Sequence, residues 1–145
     1  MSRRYKILMI ISSLNPKLGG PSRTIIDNAL SLINQGFDAH ILTCDRSGSK
    51  FIKTTKIKIF NKGPSYLGSY GFNIKSFLWL LRNKSKYTAF TVHGVWQFGS
   101  FMARILLKNK YFLYLHGQID PYFGGNFLKS TKKKIYWKIT SIDSD

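Results

Sequence analysis

His93-Gly94-Val95-Trp96 and His116-Gly117-Gln118-Ile119-Asp120-Pro121 each place an imidazole directly before a glycine at the end of a short apolar run. An imidazole titrates near neutral pH, so a histidine in such a place can hold a ligand or move a proton. His116 is the candidate catalytic residue, and His93, Gly94 and Gly117 are candidate substrate contacts. Asp120 could orient His116, bind a sugar hydroxyl or cap the following turn, and Trp96 could stack on a ligand or fill the core. His40, the third histidine, falls within an apolar run and reads as structural. A further cluster, Gly19-Gly20-Pro21-Ser22-Arg23, follows the first apolar run and opens a helical pattern. The first N–H groups of a helix are unpaired and carry partial positive charge, and glycines let an anion approach them closely. Arg23 in that first turn opposes the helix dipole unless an anion or an acid compensates it. Gly19, Gly20, Ser22 and Arg23 are therefore candidate phosphate contacts; the plainer alternative is a turn followed by a helix start.

Other chemistries are excluded by what the chain lacks. Neither G-x-G-x-x-G nor G-x-x-x-x-G-K-[ST] occurs, and Asp45 after the second strand only faintly echoes a ribose-binding acid. Glutamate is absent; the acids are Asp27, Asp38, Asp45, Asp120, Asp143 and Asp145. Paired-carboxylate catalysis is thereby removed unless Asp120 finds a distant aspartate partner, and glutamate-based metalloproteases are removed outright. Two histidines and an aspartate lack compact ligand spacing, so no metal is expected. Cys44 stands alone, which rules out an intrachain disulfide and favours a reducing compartment, the cytosol. No apolar run approaches the roughly 18 residues that span a bilayer. Met1 to Leu14 has the basic start and apolar stretch of a secretory signal but no small-residue cleavage site, so it reads as a strand.

These residues need elements to hold them. The 145 residues, with 43% hydrophobic and 15% aromatic content, suit one packed domain. Tyr5 to Ile11 is a continuous apolar run expected of a parallel strand buried on both faces. Pro21 opens a helix with Ile26, Leu30, Ile33 and Phe37 at helical spacing, stopped by Gly36. Ala39 to Thr43 and Ile57 to Phe60 read as the second and third strands. Lys62 to Gly71, with Gly63, Pro64, Gly68 and Gly71, is too long for a tight connection and is mobile or ligand-facing. Ile74, Phe77, Leu78 and Leu81 mark a second helix, Ala89 to Val92 a fourth strand, Phe98, Phe101, Met102 and Ile105 a third helix, and Tyr111 to Leu115 a fifth strand. A last helix is expected from about Phe127, carrying Leu128, Ile135 and Ile139. The alternation predicts an α/β fold, a Rossmann-like doubly wound parallel sheet in a single domain with strand order 3-2-1-4-5. Its ligand site should lie where the winding reverses, beyond the carboxyl ends of strands 1, 4 and 5.

Taken in order, Lys6-Ile7-Leu8-Met9-Ile10 leading to Gly19-Gly20-Pro21-Ser22-Arg23, then His93-Gly94-Val95-Trp96, then His116-Gly117-Gln118-Ile119-Asp120-Pro121-Tyr122, resemble the N-terminal half of family 4 glycosyltransferases of the GT-B fold. The likeness covers nearly the whole chain. It implies an acceptor-side domain, one half of a GT-B fold, in a retaining enzyme that uses a nucleotide sugar as donor substrate, in bacterial surface-polysaccharide or lipopolysaccharide assembly. By the same resemblance Gly19 and Gly20 face the donor diphosphate and His116 lies against the donor sugar, and no cofactor beyond the substrates is implied. Family members continue into a second Rossmann-like domain with a basic pair and a two-glutamate motif. Here residues 1–145 match only the first domain, and Ser141-Ile142-Asp143-Ser144-Asp145 ends where a further strand is expected, as in a truncation, so the chain is expected not to transfer sugar alone.

Lys and Arg total 23 against six acids, a net charge of +17. Such a charge attracts polyanions, either an anionic membrane surface or nucleic acid. Lys129 to Lys138, interleaved with Ile135, Tyr136 and Trp137, could lie on a bilayer that holds lipid-linked acceptors or could be an ordinary solvated helix. The expected partners are thus a nucleotide sugar, a glycan or lipid-linked acceptor, the inner face of the cytoplasmic membrane, and a separately encoded donor domain. Nucleic acid is the rival class, though no recognised nucleic-acid motif is present.

Overall fold

The computed structural model describes residues 5–49, 51, 56–108, 110–118 and 134–135. Along the chain run β1 (Lys6–Ile11), α1 (Gly20–Asn34), β2 (Asp38–Thr43), β3 (Lys58–Asn61), α2 (Ile74–Asn83), β4 (Ala89–His93), α3 (Phe98–Leu107) and β5 (Phe112–Tyr114). The strands form one parallel sheet in the order β3-β2-β1-β4-β5. The expected α/β class, winding and strand order are therefore observed. Of the expected last helix only Lys134 and Ile135 are described, and they are helical; the rest lies outside the described residues, as does Asp120.

β1 is the hinge of the architecture because both of its faces are apolar. Leu8 and Ile10 join Phe90, Val92, Leu80, Phe98 and Met102 on the face covered by α2 and α3. Met9 and Ile11 join Ile25, Ala29 and Ile41 on the face covered by α1. A strand buried on both sides has no room for alternating polar residues, which is why Ile7-Leu8-Met9-Ile10-Ile11 is unbroken.

The helices end where local chemistry stops them. Beyond α1, Gly36 takes φ +90°, its N–H reaches the Ile33 carbonyl at 3.0 Å and the Phe37 N–H reaches Leu32 at 3.0 Å, the paired bonds of a glycine-terminated helix. α2 starts at Asn73, whose side chain accepts the Ser76 N–H at 2.8 Å. The same buried amide donates to the Lys62 and Pro64 carbonyls at 3.0 and 2.9 Å. Tyr66 and Phe72 exchange backbone hydrogen bonds of 2.8 and 2.9 Å. The segment from Lys62 to Gly71 is thus tied down at both ends, and Ser65, Gly68 and Gly71 of it line the cavity described below.

The buried faces of the helices depart from the apolar spacing. In α1 the fully buried residues are Ser22, Ile25 and Ala29, while Ile26, Leu30 and Ile33 flank them. In α2 the core residue is Leu80 with Phe77 beside it, and Ile74, Leu78 and Leu81 face outward. In α3 Ile105 is exposed and Ala103, Leu106 and Leu107 are buried. Both α2 and α3 are apolar on most sides, so period alone does not choose a face; the neighbouring strand does. Leu78→Ala should accordingly cost under about 1 kcal/mol in urea unfolding, well below the cost of truncating a buried leucine.

At the end of the sheet where β2 begins, His40 is held by Asp38 at 2.9 Å and Tyr87 at 3.0 Å. Burial lowers its pKa against the opposing pull of Asp38 and raises that of Tyr87 to about 12. This histidine braces the sheet far from the strand ends that carry the candidate site.

Candidate site at the switch point of the sheet

A cavity of about 440 Å³ opens beyond the carboxyl ends of β1 and β4. Its walls come from six places, two of them being Asp45 after β2 and Gln118 after β5. The loop after β1 gives Ser12 and Ser13, the start of α1 gives Pro21 and Ser22, the 62–73 segment gives Ser65, Gly68 and Gly71, and the loop after β4 gives His93, Gly94 and Gln97. This is the location expected for a doubly wound sheet, where neighbouring loops diverge.

α1 and α3 both bring their N-termini to this cavity, and neither is closed by a side-chain cap. α2 is capped by Asn73, which does not line the cavity. The difference matters electrically at α1, because an uncapped first turn leaves N–H groups and the positive end of the dipole for a ligand; in α3 the Ser100 N–H already donates to the Gln97 carbonyl at 3.1 Å, and of that helix start Gln97 is the residue that lines the cavity. In α1 Pro21 has no N–H, so the donors of that turn are the amides of Gly20, Ser22 and Arg23. Gly19 holds φ +108° to turn the chain into the helix. Ser22 is buried, and its hydroxyl donates to the Gly19 carbonyl at 2.9 Å. A Cβ on Gly20 would meet nothing within 4 Å, so nothing in the fold itself requires glycine there.

Of the expected contacts among the described residues, Ser22, His93 and Gly94 line the cavity, whereas Gly19, Gly20, Arg23, Trp96, His116 and Gly117 do not. The Arg23 side chain is 89% exposed and lies 3.8 Å from Asp27 one turn on, so an acid on its own helix, rather than an anion in the cavity, offsets its unfavourable position.

The two His-Gly loops are locked together. His93 Nδ1 and His116 Nε2 are 3.0 Å apart, and His93 Nε2 lies 3.3 Å from the Thr91 hydroxyl. The His93 ring stacks on Tyr114 with centroids 4.6 Å apart and planes within 3°. The Gly94 N–H donates to the Tyr114 carbonyl at 3.0 Å, and the Val95 N–H donates to Gln118 Oε1 at 2.8 Å. Gly94 holds φ +99°, and a Cβ there would press on Gln97 Oε1 at 2.7 Å. Trp96 donates its indole N–H to the Gln118 carbonyl at 3.0 Å. Its role is to join the loops, and it does not line the cavity.

His93 is 2% exposed, and burial, with His116 beside it, lowers its pKa to about 4. His116 is half-buried and its pKa is also lowered by burial. Both rings are neutral at pH 7, so neither brings positive charge to an anion. His116 carries φ +48°, a conformation that costs a non-glycine residue on the order of 1 kcal/mol and that the bond to His93 helps to hold. It does not itself line the cavity but is bonded to His93, which does. Gly117, at φ +72°, makes the turn that follows.

Ser12, Ser13, Gln97 and Gln118 were not singled out by residue type, and Asp45 was noted only as a faint echo of a ribose-binding acid. Asp45 accepts from Ser13 Oγ at 2.5 Å, the Leu14 N–H at 2.7 Å and Thr43 Oγ1 at 2.8 Å, tying the end of β2 to the loop after β1. Ser12 donates to Gln97 Oε1 at 2.9 Å, tying the same loop to the start of α3. The only signal for them was position: each follows a strand at its carboxyl end. Among the described residues no group of three His, Cys, Asp or Glu side chains could hold a metal ion.

No family model and no curated protein matches the chain. The site's chemistry therefore rests on its own geometry. It offers hydroxyl and amide donors, two helix N-termini and a single carboxylate whose oxygens are already engaged, a setting for an anionic, hydroxyl-bearing ligand.

Proposed function

We propose that this chain is the acceptor-side domain of a retaining glycosyltransferase that uses a nucleotide sugar, working in bacterial surface-polysaccharide or lipopolysaccharide assembly. The observation that carries the reading is the pair of uncapped helix N-termini, α1 and α3, at one cavity lined by Ser12, Ser13, Ser22 and Gln97. Backbone N–H groups there would take the donor diphosphate, and the polar walls would place an acceptor hydroxyl near the anomeric carbon, favouring charge as it develops on the leaving group. His116, held by His93, would stand against the donor sugar. A donor-binding domain, in the same chain or a separate one, would complete the cleft.

Calorimetric titration with a panel of nucleotide sugars tests this. Saturable binding displaced by the free nucleoside diphosphate is expected. Gly20→Ala should weaken that binding about tenfold, by crowding an anion held on the first turn of α1, while leaving the unfolding midpoint unchanged, since the added methyl meets no protein atom within 4 Å. Salt-sensitive binding of oligonucleotides without any response to nucleotide sugars would replace the reading with the nucleic-acid one.

A second reading, a membrane-surface role, is favoured by a separate observation. Leu18, Tyr66, Leu67, Ile74, Leu78 and Leu81 are exposed near the cavity mouth and along α2. Lys17, Lys75 and Arg82 lie among them, and α2 carries no acid. Apolar side chains beside cations suit an anionic bilayer. Sedimentation with vesicles rich in phosphatidylglycerol should carry the protein down at low salt, and Leu67→Ser with Leu78→Ser should reduce this severalfold. Equal sedimentation with neutral vesicles would contradict it. Among the described residues no helix is long and apolar enough to cross a membrane.

A further inference from the structure

We propose that Thr91, His93 and His116 form a neutral proton relay in which His93 is a positioning residue that sets whether His116 Nδ1 donates or accepts a hydrogen bond. The inference concerns groups of the free protein and stands whether or not the ligand is a nucleotide sugar.

The geometry leaves few arrangements. Only one proton fits between His93 Nδ1 and His116 Nε2 at 3.0 Å, and the Thr91 hydroxyl at 3.3 Å can either donate to or accept from His93 Nε2. In the first arrangement His93 Nδ1–H donates to His116 Nε2, Thr91 donates to His93 Nε2, and His116 bears its proton on Nδ1. In the second His116 Nε2–H donates to His93 Nδ1, His93 Nε2–H donates to Thr91, and His116 Nδ1 is a bare acceptor. Both satisfy every ring nitrogen of the buried His93, and both are neutral. Passing from the first to the second carries the Thr91 hydroxyl proton to His93 Nε2 while Thr91 takes one from water, carries the shared proton from His93 Nδ1 to His116 Nε2, and releases one from His116 Nδ1 to water, so charge and proton count balance. Tyr114, stacked on His93, keeps the ring from turning out of line.

The consequence is a residue that can meet a hydroxyl group in either sense. A sugar hydroxyl or a water both donates and accepts, and a relay of this kind matches it without placing a charge in the site. The two rings must also change together: both carry their proton on Nδ1, or both on Nε2.

Long-range proton–nitrogen NMR of the histidine-labelled chain at pH 7.5 reads the tautomers directly. The expected result is the same tautomer ratio in His93 and His116. Thr91→Val, which removes the hydroxyl serving both arrangements, should shift both ratios by the same amount. His93→Phe, which keeps the stack on Tyr114, should release His116 to the ratio of a free imidazole. Opposite tautomers in the two rings, a Thr91→Val shift confined to His93, or a His116 ratio unchanged in His93→Phe would each overturn the relay.

Discussion

Gly63→Ala should unfold this domain more effectively than the same change at any other described glycine. A Cβ at Gly63 would stand 2.5 and 2.6 Å from the backbone carbon and oxygen of Asp45, and closer still to the Cys44 carbonyl oxygen. These are main-chain atoms, so no side-chain rotation relieves the overlap. The Gly63 N–H also donates to the Asp45 carbonyl at 2.8 Å and the Lys62 N–H to Thr43 at 2.9 Å, which anchors the whole 62–73 segment to the end of β2. Separating them would release Asn73, the cap of α2, from the Lys62 and Pro64 carbonyls. A cost of about 4 kcal/mol or more is expected, large enough to deplete the native state of an ordinary domain. Urea unfolding at neutral pH checks it; a loss under about 1 kcal/mol would mean that the segment is not held against β2.

The second large effect is on acid stability. Burial holds His93 at a pKa of about 4, against an ordinary value near 6.5 in the unfolded chain. Between those values the unfolded chain binds a proton that the folded chain does not, so stability falls as the pH drops through that window and levels off below about 4. The loss amounts to on the order of 3 kcal/mol for this residue alone. His40 and His116 are lowered as well, mainly by burial, and act in the same direction. Unfolding free energies measured from pH 7.5 to 4 should fall steeply, and His93→Phe should fall less steeply by close to one proton. A profile flat down to pH 4 would show that His93 protonates freely in the folded state. The thiol of Cys44, raised by burial and 3.4 Å from Ser76 Oγ, stays neutral throughout this range.

How much of this was legible in the residues divides along physical lines. Strands buried on both faces announce themselves, because nothing polar can interrupt them; hence Ile7 to Ile11 and the sheet order were readable. The two His-Gly loops were readable as neighbours for the same reason, since adjacent parallel strands must deliver their ends side by side. The inward faces of α2 and α3 were not, because Phe77 to Leu81 and Phe101 to Leu107 offer apolar residues all round and only packing against Phe90 and Val92 selects among them. Trp96 was read as either a stacking platform or a core residue; its indole N–H instead ties the two loops through a carbonyl of Gln118 that no residue type reveals. Gln97 was missed, and Asp45 was noticed only as a faint echo of a ribose-binding acid, for the opposite reason: they are ordinary polar residues whose weight comes from three-dimensional contacts. Arg23 was read as a phosphate contact from its place in the first turn, but the same turn puts Asp27 within its reach.

The central claim is that the cavity between α1 and α3 receives an anionic group on backbone amides. Proton–nitrogen spectra of the labelled chain titrated with nucleoside diphosphates test it most directly. The account predicts concerted, saturable movement of the amide signals of Ser12, Gly19, Gly20, Ser22 and Gly94, with the α2 cap at Asn73 and Ser76 unmoved. Movement confined to the lysine-bearing surface, or none at all, would contradict it.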